Sequence, residues 1–105
     1  MGITVTVMYP NTPGSKFDMD YYLGTHGPLV HKCWDGMGLK SLKAVKGQGT
    51  PDPKTPAPYQ VIAILSFESL DAFQKAVAAK GADVMGDIPK FTDVQPVIQV
   101  SSDLT

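Results

Sequence analysis

The run Tyr59 to Phe67, YQVIAILSF, constrains the fold more than any other stretch, because apolar side chains occupy both of its parities. Tyr59, Val61, Ala63, Leu65 and Phe67 fall on one side and Ile62 and Ile64 on the other. Successive side chains of a strand point to opposite faces, so this run reads as a central strand covered on both faces.

Ile3 to Tyr9 alternates Ile3, Val5, Val7 and Tyr9 against Thr4, Thr6 and Met8, a strand with one clearly apolar face that Pro10 and the segment 11–15 bring to an end. Asp18 to Asp35 reads as a helix, closed by Gly36 and Gly38. Leu39 to Gly47 is a second strand, whose lysines at 40, 43 and 46 suit a sheet edge. Gln48 to Pro58 carries Pro51, Pro53, Pro56 and Pro58 and is an irregular loop, with a composition leaning to a disordered connection. Ser69 caps a second helix holding Leu70, Phe73, Val77 and Val84 in phase, with Gly81 expected to end or interrupt it. Met85 to Asp93 reads as a connection, and Val94 to Ser101 as a last strand placed at an edge or bulged by Pro96.

The order β-α-β-β-α-β is the split βαβ arrangement, an α+β, ferredoxin-like antiparallel sheet with both helices on one face. Strands one and three then lie in the middle. Two helices cover one face only, yet the third strand is apolar on both, and exposure of several large side chains would forgo several kcal/mol at about 25 cal/mol per Å². A homodimer with the two sheets face to face and the helices outside is therefore expected, enclosing a cavity between sheets and helices.

The 105 residues, 43% of them hydrophobic, suit a single domain over 1–105. Nine basic against ten acidic side chains, a net charge of -1, give no electrostatic footprint for nucleic acid or an anionic membrane. The single cysteine excludes an internal disulfide framework and multi-thiolate zinc sites, and suits a reducing cytoplasm. No apolar run approaches the roughly 20 residues of a membrane span.

Chemistry concentrates in Phe17 to Trp34, FDMDYYLGTHGPLVHKCW, which holds both histidines. At roughly 100° per residue, Tyr22, His26, Leu29 and Cys33 share one stripe with Asp18 one turn before Tyr22, whereas Asp20, His31 and Asp35 face away. Gly24, Gly27 and Pro28 predict a kink or two short helices, the second starting near His26 with Thr25 as its cap. His26 is the candidate general acid or base for a small apolar or aromatic substrate, with Asp18 orienting the imidazole and Tyr22 binding an oxygen. Set against this is a buried histidine that merely fixes the kink. Phe17, Leu29 and Trp34 are candidates for lining a pocket, Tyr21 for packing, and Cys33 for a small buried hydrophobe. His26 and His31 lie on different faces, which disfavours a histidine metal site, and the GQG at 47–49 lacks the dinucleotide-binding spacing.

Phe17, Asp18, Tyr21, Tyr22, His26, Pro28 and Leu29, followed by Gly38-Leu39 and the spacing of Val84, Asp87, Phe91 and Thr92, resemble the EthD family, named for ethyl tert-butyl ether degradation. The likeness runs from Ile3 to Val100. It implies a ferredoxin-like fold assembled as a dimeric α+β barrel, in a superfamily that includes quinone-forming monooxygenases, muconolactone isomerase, polyketide cyclases and haem-dependent enzymes. Residues and resemblance together lead to one expectation, a small cofactor-independent enzyme of oxidoreductase or isomerase/cyclase type. The alternatives are a non-catalytic protein that holds a hydrophobic metabolite and, more weakly, a haem-binding protein with His26 as ligand.

Overall fold

The computed structural model describes residues 2–105 as one four-stranded antiparallel sheet with a helical layer against one face. The strands are β1 (Ile3–Pro10), β2 (Leu39–Lys46), β3 (Tyr59–Phe67) and β4 (Val97–Ser102), in spatial order β2-β3-β1-β4. The strand apolar on both parities thus sits inside the sheet, next to β1, and the lysine-bearing strand takes an edge.

The register sorts the side chains into rows. On the helix-facing side, Leu42, Leu65, Val5 and Val100 form one row across the sheet, and Ala44, Ala63, Val7 and Ile98 form the next. The two adjacent alanines make the second row shallow. On the opposite side, Val45, Ile62, Met8 and Val97 lie abreast in an apolar row, while Ser41, Ser66, Thr4 and Ser101 make a polar one at the other end. Val97 keeps 47% of its surface exposed and Val45 38%, so this apolar row is uncovered in the single chain.

A composite helix links β1 to β2. Asp18 starts it by accepting the Tyr21 N–H at 3.1 Å, one turn (α1, Met19–Tyr21) leads into a π-helical stretch at Tyr22–His26, and α2 continues through Gly27–Trp34. Pro28 explains the π stretch. Lacking an N–H, it cannot sustain the α-helical ladder, and the Gly27 N–H reaches back five residues to the Tyr22 carbonyl instead. The expected second start capped by Thr25 is therefore not formed: His26 is helical and makes no capping bond, so no free helix N-terminus faces its ring.

After β3, Ser69 caps α3 (Leu70–Asp87) by accepting the Ala72 N–H at 3.0 Å. The helix runs straight through Gly81 to Asp87, correcting the expected interruption there and the expected connection from Met85. An interior glycine costs about 1 kcal/mol, but the buried Ala76 and Val84 on the same helix more than offset that loss by packing against the sheet. Pro96 precedes β4 instead of lying inside it, so the last strand is shorter than expected and needs no bulge. The proline-rich loop is also better organised than its composition suggests, since the Asp52 carboxylate accepts from the Lys54 N–H and the Thr55 hydroxyl while Thr50 bonds the Asp52 and Thr55 carbonyls.

Two apolar clusters hold the layers together. One centres on Phe67, Trp34 and Leu65, with the Trp34 indole N–H donating to the Ala76 carbonyl at 3.0 Å and so tying α2 to α3. The other gathers Tyr9, Tyr22, Ile88 and Phe91, with Phe17 packed edge-on against Tyr9. Between the helix end and β2, Gly38 adopts φ +98°, and a Cβ there would meet the Ala72 side chain at 2.9 Å. Gly38→Ala should therefore cost about 1–3 kcal/mol of folding free energy, read from urea denaturation, whereas the same change at Gly49, which has open space around it, should be nearly silent.

Candidate functional site

Two helix ends meet over the second cluster. The π-helical stretch brings Tyr22 and His26 inward, and α3 ends at Asp87 beside them. His26 Nδ1 lies 2.9 Å from Asp87 Oδ2, and both side chains are about 7% exposed. The Tyr21 hydroxyl donates to Asp87 Oδ1 at 2.7 Å, and the Lys90 ammonium stands 3.8 Å from the same oxygen. The imidazole is sandwiched between aromatic rings, parallel to Tyr22 at 5.7 Å and tilted on Phe91 at 4.6 Å.

The electrostatics fix the imidazole's tautomer. Burial alone would push the Asp87 carboxyl up, but the hydrogen bonds from Tyr21 and His26, with the positive charge of Lys90 and of His26 when protonated, outweigh it and leave the carboxyl below its ordinary value. Asp87 is thus an anion at neutral pH and can only accept, so Nδ1 of His26 carries the proton and Nε2 of the neutral ring carries the lone pair. The Tyr21 hydroxyl, held by the same carboxylate, is pushed above the usual phenol value.

Beside this cluster a cavity of about 660 Å³ opens between the helices and the sheet of one chain. Its floor is the shallow Ala44, Ala63, Val7 and Ile98 row with the Leu42 row next to it, and Trp34 and Val84 stand in its wall. One chain alone supplies this lining. Polar groups reach it from Tyr9, Tyr22 and His26, with His31 at the rim paired to Asp35 at 2.8 Å. Neither His26 Nε2 nor the hydroxyls of Tyr9 and Tyr22 bond to another described residue. Among the described residues no fully enclosed polar side-chain atom lacks a partner, so these three unbonded atoms are not sealed in, and the residues that carry them all line the hollow. Burial pushes the Tyr22 hydroxyl up to about 12 and raises Tyr9 as well, so both stay protonated.

The expected site residues divide. His26 and Tyr22 come together at the cavity, as their shared stripe implied, and Trp34 borders it. Asp18 does not orient the imidazole. Its side chain caps α1, and the carboxylate on His26 is Asp87, 61 residues away in sequence. Phe17 packs into the aromatic cluster and Leu29 is half-buried, and neither lines the hollow. Tyr21, expected only to pack, is a second donor to Asp87. Asp87 was missed because it was assigned to a connection. An acidic residue in the last turn of a helix opposes the helix dipole, and that misfit was the available sign of a specific partner.

A sequence profile of the EthD domain matches residues 15–95. The chain belongs to the EthD family. An EthD-like protein from Ralstonia eutropha JMP134 has 32% identity to it over 99% of this chain and 93% of that one, with a TM-score of 0.91. An EthD family protein from Bacillus halodurans C-125 has 18% identity, covering 99% of this chain and all of that one, at 0.69. SnoaB, a cofactor-independent oxygenase from Streptomyces nogalater, has 9% identity over 99% and 94%, at 0.67. The last two share the fold. Curated protein sequences give no significant match. Haem fits this EthD-family cavity poorly: its carboxylates call for cations, the chain has no arginine, and none of its lysines lines the hollow.

Because Asp87 is lowered in the folded state, its stabilising effect is complete above the unfolded carboxylate value of about 3.9 and is lost as pH falls through the lower folded value. Asp87→Asn should cost about 1–3 kcal/mol at pH 7 by weakening hydrogen bonds to a buried group. Urea titrations should show that difference shrinking toward pH 3.

Proposed function

We propose that this EthD-family chain is a cofactor-independent enzyme that binds an apolar, aromatic small molecule in the hollow and moves a proton between that molecule and His26 Nε2. The observation carrying the proposal is the His26–Asp87 pair at the edge of an apolar cavity, with Nδ1 engaged and Nε2 free. Nε2 accepts a substrate proton, the resulting imidazolium is stabilised by the Asp87 carboxylate, and the electron pair stays on the substrate. The Tyr22 hydroxyl, kept protonated by burial, donates to the substrate oxygen on which that charge collects. Tyr21 acts through Asp87 as a positioning residue. An electron-rich substrate of this kind is the entry to oxygenation by dioxygen, isomerisation or loss of water. The SnoaB neighbour, described as a cofactor-independent oxygenase, supports the first of these without a cofactor.

A non-catalytic module that holds a hydrophobic metabolite is the second reading, favoured by a lining that is apolar except at a few tyrosines and histidines. Deuterium exchange at the α-carbon of 2-tetralone, followed by NMR in D₂O, separates the two. Wild-type protein should accelerate exchange and His26→Gln should lose about 100-fold or more of that acceleration while still binding the ketone. Binding with no acceleration by the wild type would establish the holding module instead.

The assembly proposed is a homodimer in a reducing cytoplasm, the compartment that suits a lone thiol at Cys33. Pairing two sheets through the uncovered Val45, Ile62, Met8 and Val97 row would remove that apolar surface from water. Sedimentation at micromolar concentration should give twice the chain mass, and Ile62→Glu should shift it to the monomer. A wild-type monomer under those conditions would overturn the assembly.

A further inference from the structure

The cavity's polar groups specify the ligand more narrowly than its apolar wall does. Tyr9 lies at the end of β1, only 1% exposed, with its ring 6.0 Å from Tyr22, which in turn stacks on His26 at 5.7 Å. All three line the hollow and none has its outer polar atom bonded to another described residue. The donor and acceptor inventory is then fixed. The two phenolic hydroxyls can donate, and Nε2 can only accept because its ring partner Nδ1 holds the proton toward Asp87. A single ligand group that takes a hydrogen bond donated by these hydroxyls and also satisfies Nε2 must accept from oxygen while donating one to nitrogen.

A hydroxyl does both. A ketone accepts from the tyrosines but leaves Nε2 unpaired. A carboxylate likewise offers no proton, and its charge would stand beside the buried Asp87 anion in a cavity that no lysine lines. The remaining lining is hydrocarbon and aromatic, matching a flat apolar skeleton, and about 660 Å³ falls within the range that small-molecule ligands fill. We infer that the hollow takes a neutral aromatic molecule bearing one free hydroxyl, a phenol, seated with that hydroxyl among Tyr9 Oη, Tyr22 Oη and His26 Nε2. Tyr9 is thereby a ligand-binding residue, although its place in the sequence marked it only as an inward strand position. The inference rests on the reading that the hollow holds a small molecule, and it gives the proposed proton transfer its donor, the phenolic O–H bond. Its proton passes to Nε2 and the phenolate keeps the electron pair.

Calorimetric titration of the full chain with 2-naphthol, 2-acetonaphthone, naphthalene and 2-naphthoate tests it, since the four probes share a skeleton and differ in the polar group. The phenol should bind about 10-fold or more tightly than naphthalene, with the ketone between them and the carboxylate weakest. Tyr9→Phe and Tyr22→Phe, checked for folding by circular dichroism, should each reduce phenol affinity about 3- to 10-fold, the usual net worth of a hydrogen bond, and leave naphthalene unchanged. Equal affinity for 2-naphthol and naphthalene would overturn the inference and leave the cavity reading standing. A ketone bound as tightly as the phenol, or a folded Tyr9→Phe protein with unaltered phenol affinity, would overturn it as well. Binding of none of the four would remove both readings, whereas the expected ranking without any exchange of 2-tetralone protons would leave the phenol inference standing and remove proton abstraction from carbon. The wild-type ranking decides the matter even if a variant fails to fold.

Discussion

A buried carboxylate is expensive unless donors surround it, and the arrangement of this molecule follows from how Asp87 is supplied with them. Tyr21 and His26 donate from the first helical segment to the end of the second, with Lys90 nearby at the surface. With only 7% of its side chain exposed, the carboxylate depends on these donors, so the ends of two distant segments are locked in register by the cost of leaving the charge unpaired. The same lock fixes the imidazole in one orientation and one tautomer. Structure and chemistry thus depend on a single contact, and the aromatic rings of Tyr22 and Phe91 keep the imidazole from turning away from it.

The hollow is a deliberate gap in an otherwise dense interior. The apolar core is divided into two clusters, one around Phe67 and Trp34 and one around Tyr9 and Phe91, and the space between them is kept open by Ala44, Ala63 and Gly81, whose side chains are too small to fill it. Protein cores normally close such voids because lining atoms without neighbours forgo dispersion contacts. Filling this one with larger residues would add packing and remove the space a ligand needs. Several large apolar residues around the opening, among them Leu23, Met85 and Ile98, stay partly exposed for the same reason.

Most of the architecture was legible because period-two and period-3.6 patterns are local. The strand apolar on both parities took its interior place, the lysines marked an edge, and the inward stripe of Tyr22 and His26 pointed as its phase required. Errors arose where tertiary contacts overrode local preference. Gly81 was tolerated inside α3 because that face packs, and Pro28 was absorbed by a π turn instead of splitting the helix. The carboxylate beside His26 departs from expectation for the same reason. Asp18 was near in sequence and geometrically reasonable, but the helix start used it for capping, while Asp87 arrived from 61 residues away through the fold.

The π-helical stretch Tyr22–His26 holds one residue more than an α-helical path between the same two ends would need. Removing any one residue from it would let the backbone return to ordinary helical bonding and rotate everything beyond by roughly 100°. Either the imidazole would leave Asp87 or Val30 and Trp34 would leave the core. Between the two site residues, the exposed Leu23, Gly24 and Thr25 are open to exchange, yet the length of the segment is not: there the constraint falls on insertions and deletions before it falls on residue type.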